Sequence, residues 1–163
     1  MSPALYKPFL YLHIIAGSCA LVSGLFPLAT EKGGKIHRLF GKVFFIAMWC
    51  VGFSALIISI FKDNRFLLAI AVFSMYMNYT GYRALKNRTA KYKWFDWLAL
   101  VPSLAMAVYM ISTLNTVLIV FGALLAWMCT GDAVKQLKGE ESIKKLRRQK
   151  VLTHIPRMVG AYI

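Results

Sequence analysis

The sequence predicts an all-α polytopic membrane helix bundle: five complete spans, the start of a sixth, and the N-terminus outside. Three observations carry this expectation. The 163-residue chain is 59% hydrophobic, with a mean hydropathy of +0.59, whereas a soluble domain is usually about half apolar. The apolar residues fall in long uncharged blocks, as membrane spans require. Lysine and arginine gather in every second gap between those blocks, the pattern left by the positive-inside rule.

The first block, Pro8 to Thr30, carries no charge between Lys7 and Glu31. It is long enough to cross and runs into a basic loop, so it reads as a retained helix and not as a cleaved signal. A second span is expected over about 39–61, with Lys42 near its start, and a third over 66–82. The next uncharged stretch, Trp97 to Gly131, has 35 residues. As one helix it would run roughly 50 Å at about 1.5 Å per residue, against a hydrocarbon core about 30 Å thick. Two spans, 97–112 and 116–131, are therefore expected, turning near Ser112-Thr113-Leu114-Asn115. Residues 132–154 read as a cytoplasmic amphipathic segment. A sixth apolar segment opens at Ile155 and reaches Ile163, nine residues that are too few to cross. A carboxylate there would lie in hydrocarbon at high cost, so a chain continuing past Ile163 is expected. Residues 1–163 form a single membrane domain on this reading.

Charge sets the orientation. The first, third and fifth gaps, with their helix ends, hold 17 of the 20 Lys and Arg residues, from Lys32 and Lys35 through Arg88 and Lys91 to Lys150 and Arg157. Only Lys7, Lys62 and Arg65 fall on the other side. The basic loops are thus expected on the cytoplasmic side. The net charge of +14 flanks apolar blocks and forms no basic face on a soluble domain, which argues against nucleic acid. Anionic lipid headgroups at the basic loops are the expected partners, together with the bilayer itself. Cys19, Cys50 and Cys129 are odd in number and dispersed within apolar blocks, so they make no disulfide framework. Tyr11, Tyr92, Trp94, Phe95, Trp97 and Tyr162 suit an aromatic belt.

The histidines are the most informative polar residues. His13 falls in the outer half of the first span, with Gly17 and Gly24 on the same helix face. Such a glycine stripe admits another backbone or a flat ligand. His37 lies in Gly34-Lys35-Ile36-His37-Arg38-Leu39-Phe40-Gly41 and His154 in His154-Ile155-Pro156-Arg157-Met158. Topology puts these two at equal membrane depth, each beside an arginine, Arg38 or Arg157. Asn78, Tyr79, Arg83, Glu31, Asp96 and Asp132 fall on the same side. Lipid offers polar groups no partners, so a cluster built from several helix ends is expected there. It suits a b-type haem held by His37 and His154, with His13 a further candidate and Arg38 and Arg157 pairing with propionates. A quinone-like ligand would use the same rim. A metal has weak support, since no ligand pair is spaced for one helix face. A transport path needs broken helices near mid-membrane, and Pro102 alone offers one. The bland alternative is interfacial residues reaching toward headgroups. No nucleotide loop, catalytic triad or zinc-protease helix is present in the sequence. Nothing therefore points to independent enzymatic activity, and a non-enzymatic accessory subunit of a larger membrane complex is the alternative to electron transfer.

His13 with Gly17 and Gly24, the His37-Arg38-x-x-Gly41 element, and the His154-x-x-Arg157-Met158-x-x-Ala161-Tyr162-Ile163 run resemble a family of predicted bacterial multi-pass membrane proteins of unknown function. The resemblance covers nearly the whole chain. It implies that the last run opens a further full span, and that His13, His37, Arg38, His154 and Arg157 are the family's characteristic polar positions. It implies no activity, cofactor or substrate.

Overall fold

A computed structural model describes residues 3–86, 93–113, 115–138 and 143–162. Arg88, Lys91, Tyr92, Leu114 and Ile163 lie outside the described residues, as do the side chains of residues 138 and 143–149. Among the described residues there are six helices and no strand: α1 (Pro3–Ala29), α2 (Lys35–Phe61), α3 (Arg65–Lys86), α4 (Trp94–Ser112), α5 (Thr116–Lys138) and α6 (Ile143–Tyr162). In a bilayer each backbone N–H and C=O must find a partner within its own segment, and helices achieve that. Four of them, α1, α2, α4 and α5, are long and apolar enough to cross a membrane.

The chain divides into two compact units, Met1–Asn78 with Val159–Ile163, and Tyr79–Met158. In the first, α1 and α2 form an antiparallel hairpin. Its turn uses Gly33 at φ +82°, a backbone region that costs glycine nothing. The buried face of α1 is small, Ala16, Ala20 and Ser23, spaced as one helix face. The partner helix α2 buries Phe44, Ala47, Met48, Ser54, Ala55 and Ile58. Small residues let the two backbones approach closely, which is how helices associate where lipid is as apolar as leucine. The turn from α2 to α3 is tight. Asp63 takes φ 47°, and the Asn64 side chain accepts the Leu67 N–H at 2.9 Å, capping α3. Ala69, Phe73, Tyr76 and Met77 of α3 complete this core. From the end of α6, the Tyr162 ring packs beside Phe44, centroids 6.0 Å apart, and its hydroxyl donates to the Leu21 carbonyl.

In the second unit the uncharged stretch from Trp97 is two helices. α4 ends at Ser112, and Asn115 caps α5 by accepting the N–H groups of Val117 and Leu118 at 3.0 and 3.2 Å. Leu100, Ala107 and Met110 of α4 and Leu118, Leu125 and Cys129 of α5 are buried. Trp94 and Phe95 stack at 3.7 Å and are exposed. The stretch expected to be amphipathic is helical where it is described. α5 continues as helix through Asp132 to Lys138, and α6 runs unbroken through His154 and Pro156. Asp132 is buried.

Candidate functional site: buried polar side chains of the helices

Each buried polar side chain here has to be matched by a partner in the protein, because hydrocarbon supplies none. In the first unit, His13 Nδ1 lies 3.2 Å from the Val51 carbonyl oxygen and 3.1 Å from Ser54 Oγ. A carbonyl oxygen only accepts, so Nδ1 carries the proton. Ser54, fully buried, donates to carbonyls in the preceding turn of α2. His13 thus ties the N-terminal half of α1 to α2. Of its companion glycines, Gly24 is packed against Tyr162 and Phe44, while Gly17 meets open space.

His37 Nδ1 donates to the Pro27 carbonyl at 3.2 Å. That carbonyl is among the last of α1 and has no helical partner. Lys32 Nζ joins it, at 2.7 Å from Pro27 O and 2.8 Å from Leu28 O. The Lys32 ammonium group and the His37 N–H also suit the partial negative charge of that helix C-terminus. Arg38, the next residue, is exposed. Asn78, at 0% exposure, donates through Nδ2 to the Phe45 carbonyl at 3.1 Å. Its Oδ1 meets no hydrogen-bond donor among the described residues.

In the second unit Asp96 gathers α3 onto the start of α4. Its carboxylate accepts from Tyr79 Oη at 2.8 Å, Arg83 Nε at 2.9 Å, Arg83 Nη2 at 3.0 Å and the Lys93 backbone N–H at 2.7 Å. Those bonds fill about all the lone-pair positions a carboxylate has. Arg157 of α6 and Asp132 of α5 form a second bidentate pair, Nη1–Oδ2 2.6 Å and Nη2–Oδ1 2.9 Å. Both residues are buried, at 7% and 8% exposure. His154, one turn earlier on the same face of α6, donates Nδ1–H to the Gly81 carbonyl of α3 at 2.9 Å. Gly81 has no side chain in the way: Met158 and Arg157 already lie where a Cβ would stand, at 2.9 and 3.2 Å. α6 therefore docks on α3 through His154, Arg157 and Met158.

A model of the family described as predicted membrane protein (DUF2306) matches residues 10–133. The chain belongs to this family. No curated protein and no solved structure matches it. The matched region contains α1 from residue 10 onward and all of α2, with His13, His37 and Arg38, and ends just after Asp132; His154 and Arg157 lie beyond it.

For this DUF2306 protein the structure brings together some of the expected polar residues. Arg157 meets Asp132, and Arg83 and Tyr79 meet Asp96. His37 and His154 belong to different units and each has its own backbone partner. Among the described residues no group of three His, Cys, Asp or Glu side chains is arranged to hold a metal ion. Sequence reasoning placed Asp132 and Arg157 at one depth but did not pair them. The available signal was charge: each is an isolated ion next to an apolar block, and such ions seek each other.

Proposed function

We propose that the protein is a non-enzymatic, multi-pass component of a larger assembly in the bacterial inner membrane. On this reading α3 is a further span, α6 begins another, the N-terminus is outside and the basic loops are cytoplasmic. The observation that carries it is the employment of the polar side chains within the protein. The arginine best suited to hold an acidic ligand, Arg157, is closed on Asp132. Asp96 is saturated by Arg83, Tyr79 and Lys93. Each histidine donates to a main-chain carbonyl. These are ties between helices, not open chemistry. Gly17, facing open space beside exposed Ser18 and Cys19, offers the close approach that a neighbouring helix uses. Extraction in a mild detergent tests the reading: the protein co-purifies with a membrane partner in fixed ratio. A monodisperse monomer carrying a stoichiometric chromophore overturns it.

A second reading, a b-type haem or quinone-like redox ligand, is favoured by one observation. His13 and His37 are locked with Nδ1–H on a carbonyl, which leaves Nε2 as the ring's lone-pair nitrogen in the neutral form, the atom an iron takes. Haem would supply one-electron transfer there. The two cannot serve one iron: the carbonyl that His37 caps, Pro27, is 14 residues along α1 from His13, about 20 Å of helix. The fit is confined to the imidazoles, since Arg157 is not open to a propionate. An oxidised and dithionite-reduced visible spectrum decides this reading. A Soret band with sharp reduced α and β bands, lost in His13→Ala or His37→Ala, supports it; a flat spectrum from haem-replete cells removes it.

A further inference from the structure

α2 carries a stripe that its role in the hairpin does not use. Lys35, Arg38 and Lys42 are all exposed, and at 100° per residue they fall within about 60° of one another on the helix. Neither ion pair described above includes them. Two turns of helix separate Lys35 from Lys42, about 10 Å along the axis. On the same side the stripe continues without charge through Leu39, Ile46, Phe53 and Ile60, exposed by 60, 62, 54 and 72%. Cations thus occupy the first turns of a helix whose remaining length presents hydrocarbon in register below them.

That order of chemistry, three cations and then roughly 25 Å of apolar surface, matches an amphiphile and not a soluble anion. A lysine two turns into an apolar helix has to extend its ammonium group back toward the headgroup layer. There it meets phosphate oxygens, which guanidinium and ammonium groups bind by charge-assisted hydrogen bonds. We infer that the exposed stripe of α2 is a binding site for one anionic glycerophospholipid, its phosphate held by Lys35, Arg38 and Lys42 and an acyl chain lying along Leu39, Ile46 and Phe53. The occupant is a lipid because the apolar continuation has the direction and length of an acyl chain, and it is anionic because the stripe is cationic and neither ion pair among the described residues engages it. The inference depends only on α2 spanning the bilayer and is independent of whether a redox ligand or a partner subunit is present.

The test is titration of the full-length protein in detergent with phosphatidylglycerol, phosphatidylcholine or inorganic phosphate, read by native mass spectrometry. Phosphatidylglycerol is expected to bind in preference to the other two. Each of Lys35→Gln, Arg38→Gln and Lys42→Gln should weaken it roughly fivefold, the equivalent of about 1 kcal/mol per surface cation. Lys7→Gln and Lys62→Gln should leave it unchanged. Phe53→Ser should weaken it without altering the preference over phosphatidylcholine. Equal retention of phosphatidylcholine, binding of inorganic phosphate with comparable affinity, or unchanged phosphatidylglycerol binding in all three single variants would each overturn the site. All four substituted stripe positions are exposed, so the variants keep the hairpin core intact.

Discussion

The Asp132–Arg157 pair is a buried, bidentate tie between α5 and α6. Removing one partner strands the other charge in the bundle, which costs about 3–5 kcal/mol, whereas replacing both by apolar side chains of similar volume is far milder. Asp132→Ala and Arg157→Ala are each expected to lower the unfolding free energy in detergent by about that amount. The double variant Asp132→Leu with Arg157→Leu should lose less than either single change. Strict additivity in this cycle would show that the two groups do not interact. At His13 the expected effect is smaller. Ser54→Ala removes one acceptor and leaves the Val51 carbonyl, so a loss of about 0.5–1 kcal/mol is expected from the same unfolding measurement. A loss above about 2 kcal/mol would mean that Ser54, and not the carbonyl, holds the ring.

At the scale of the element, helix ends and turns carry the predictions. Asn115 satisfies two orphan N–H groups of α5, and its replacement by alanine should cost about 1 kcal/mol. Asp63 holds a positive φ without being glycine. Asp63→Gly relieves that conformation and should stabilise the protein by about 0.5 kcal/mol, read as a small rise in thermal midpoint. A fall would show that the aspartate side chain contributes more than the backbone strain removes. Gly81 lies beneath Met158 and Arg157. A leucine there would have to displace both, and it should separate α6 from α3, exposing His154 to alkylation in the otherwise intact protein.

For the whole molecule, the distribution of lysine and arginine carries the orientation. Single cysteines placed at Lys35 and at Lys62, in a background lacking Cys19, Cys50 and Cys129, should differ in labelling by an impermeant maleimide added to intact cells: Lys62→Cys labels and Lys35→Cys does not. The opposite pattern would invert the proposed topology. Membership of the DUF2306 family and the four strongly apolar helices support the membrane setting; the proposed sidedness rests on charge.

By itself the sequence determined an all-helical membrane protein, its apolar helices and its family. Those properties are written in block length, hydropathy and motif spacing, and they act locally, each segment against lipid. An expected depth along the membrane normal could also be read for each polar residue, which is why Asp96, Asp132, His37, His154 and Arg157 were all legible as candidates. Only the tertiary structure decided who meets whom. Depth along a helix is a single coordinate, whereas pairing depends on rotation about the axis and on which helix is the neighbour. Neither is encoded in spacing within one segment. So Arg157 found Asp132 instead of an acidic ligand, His37 became the cap of α1, and His154 came to rest on the Gly81 carbonyl, the one position on that turn of α3 with no side chain to hold α6 away.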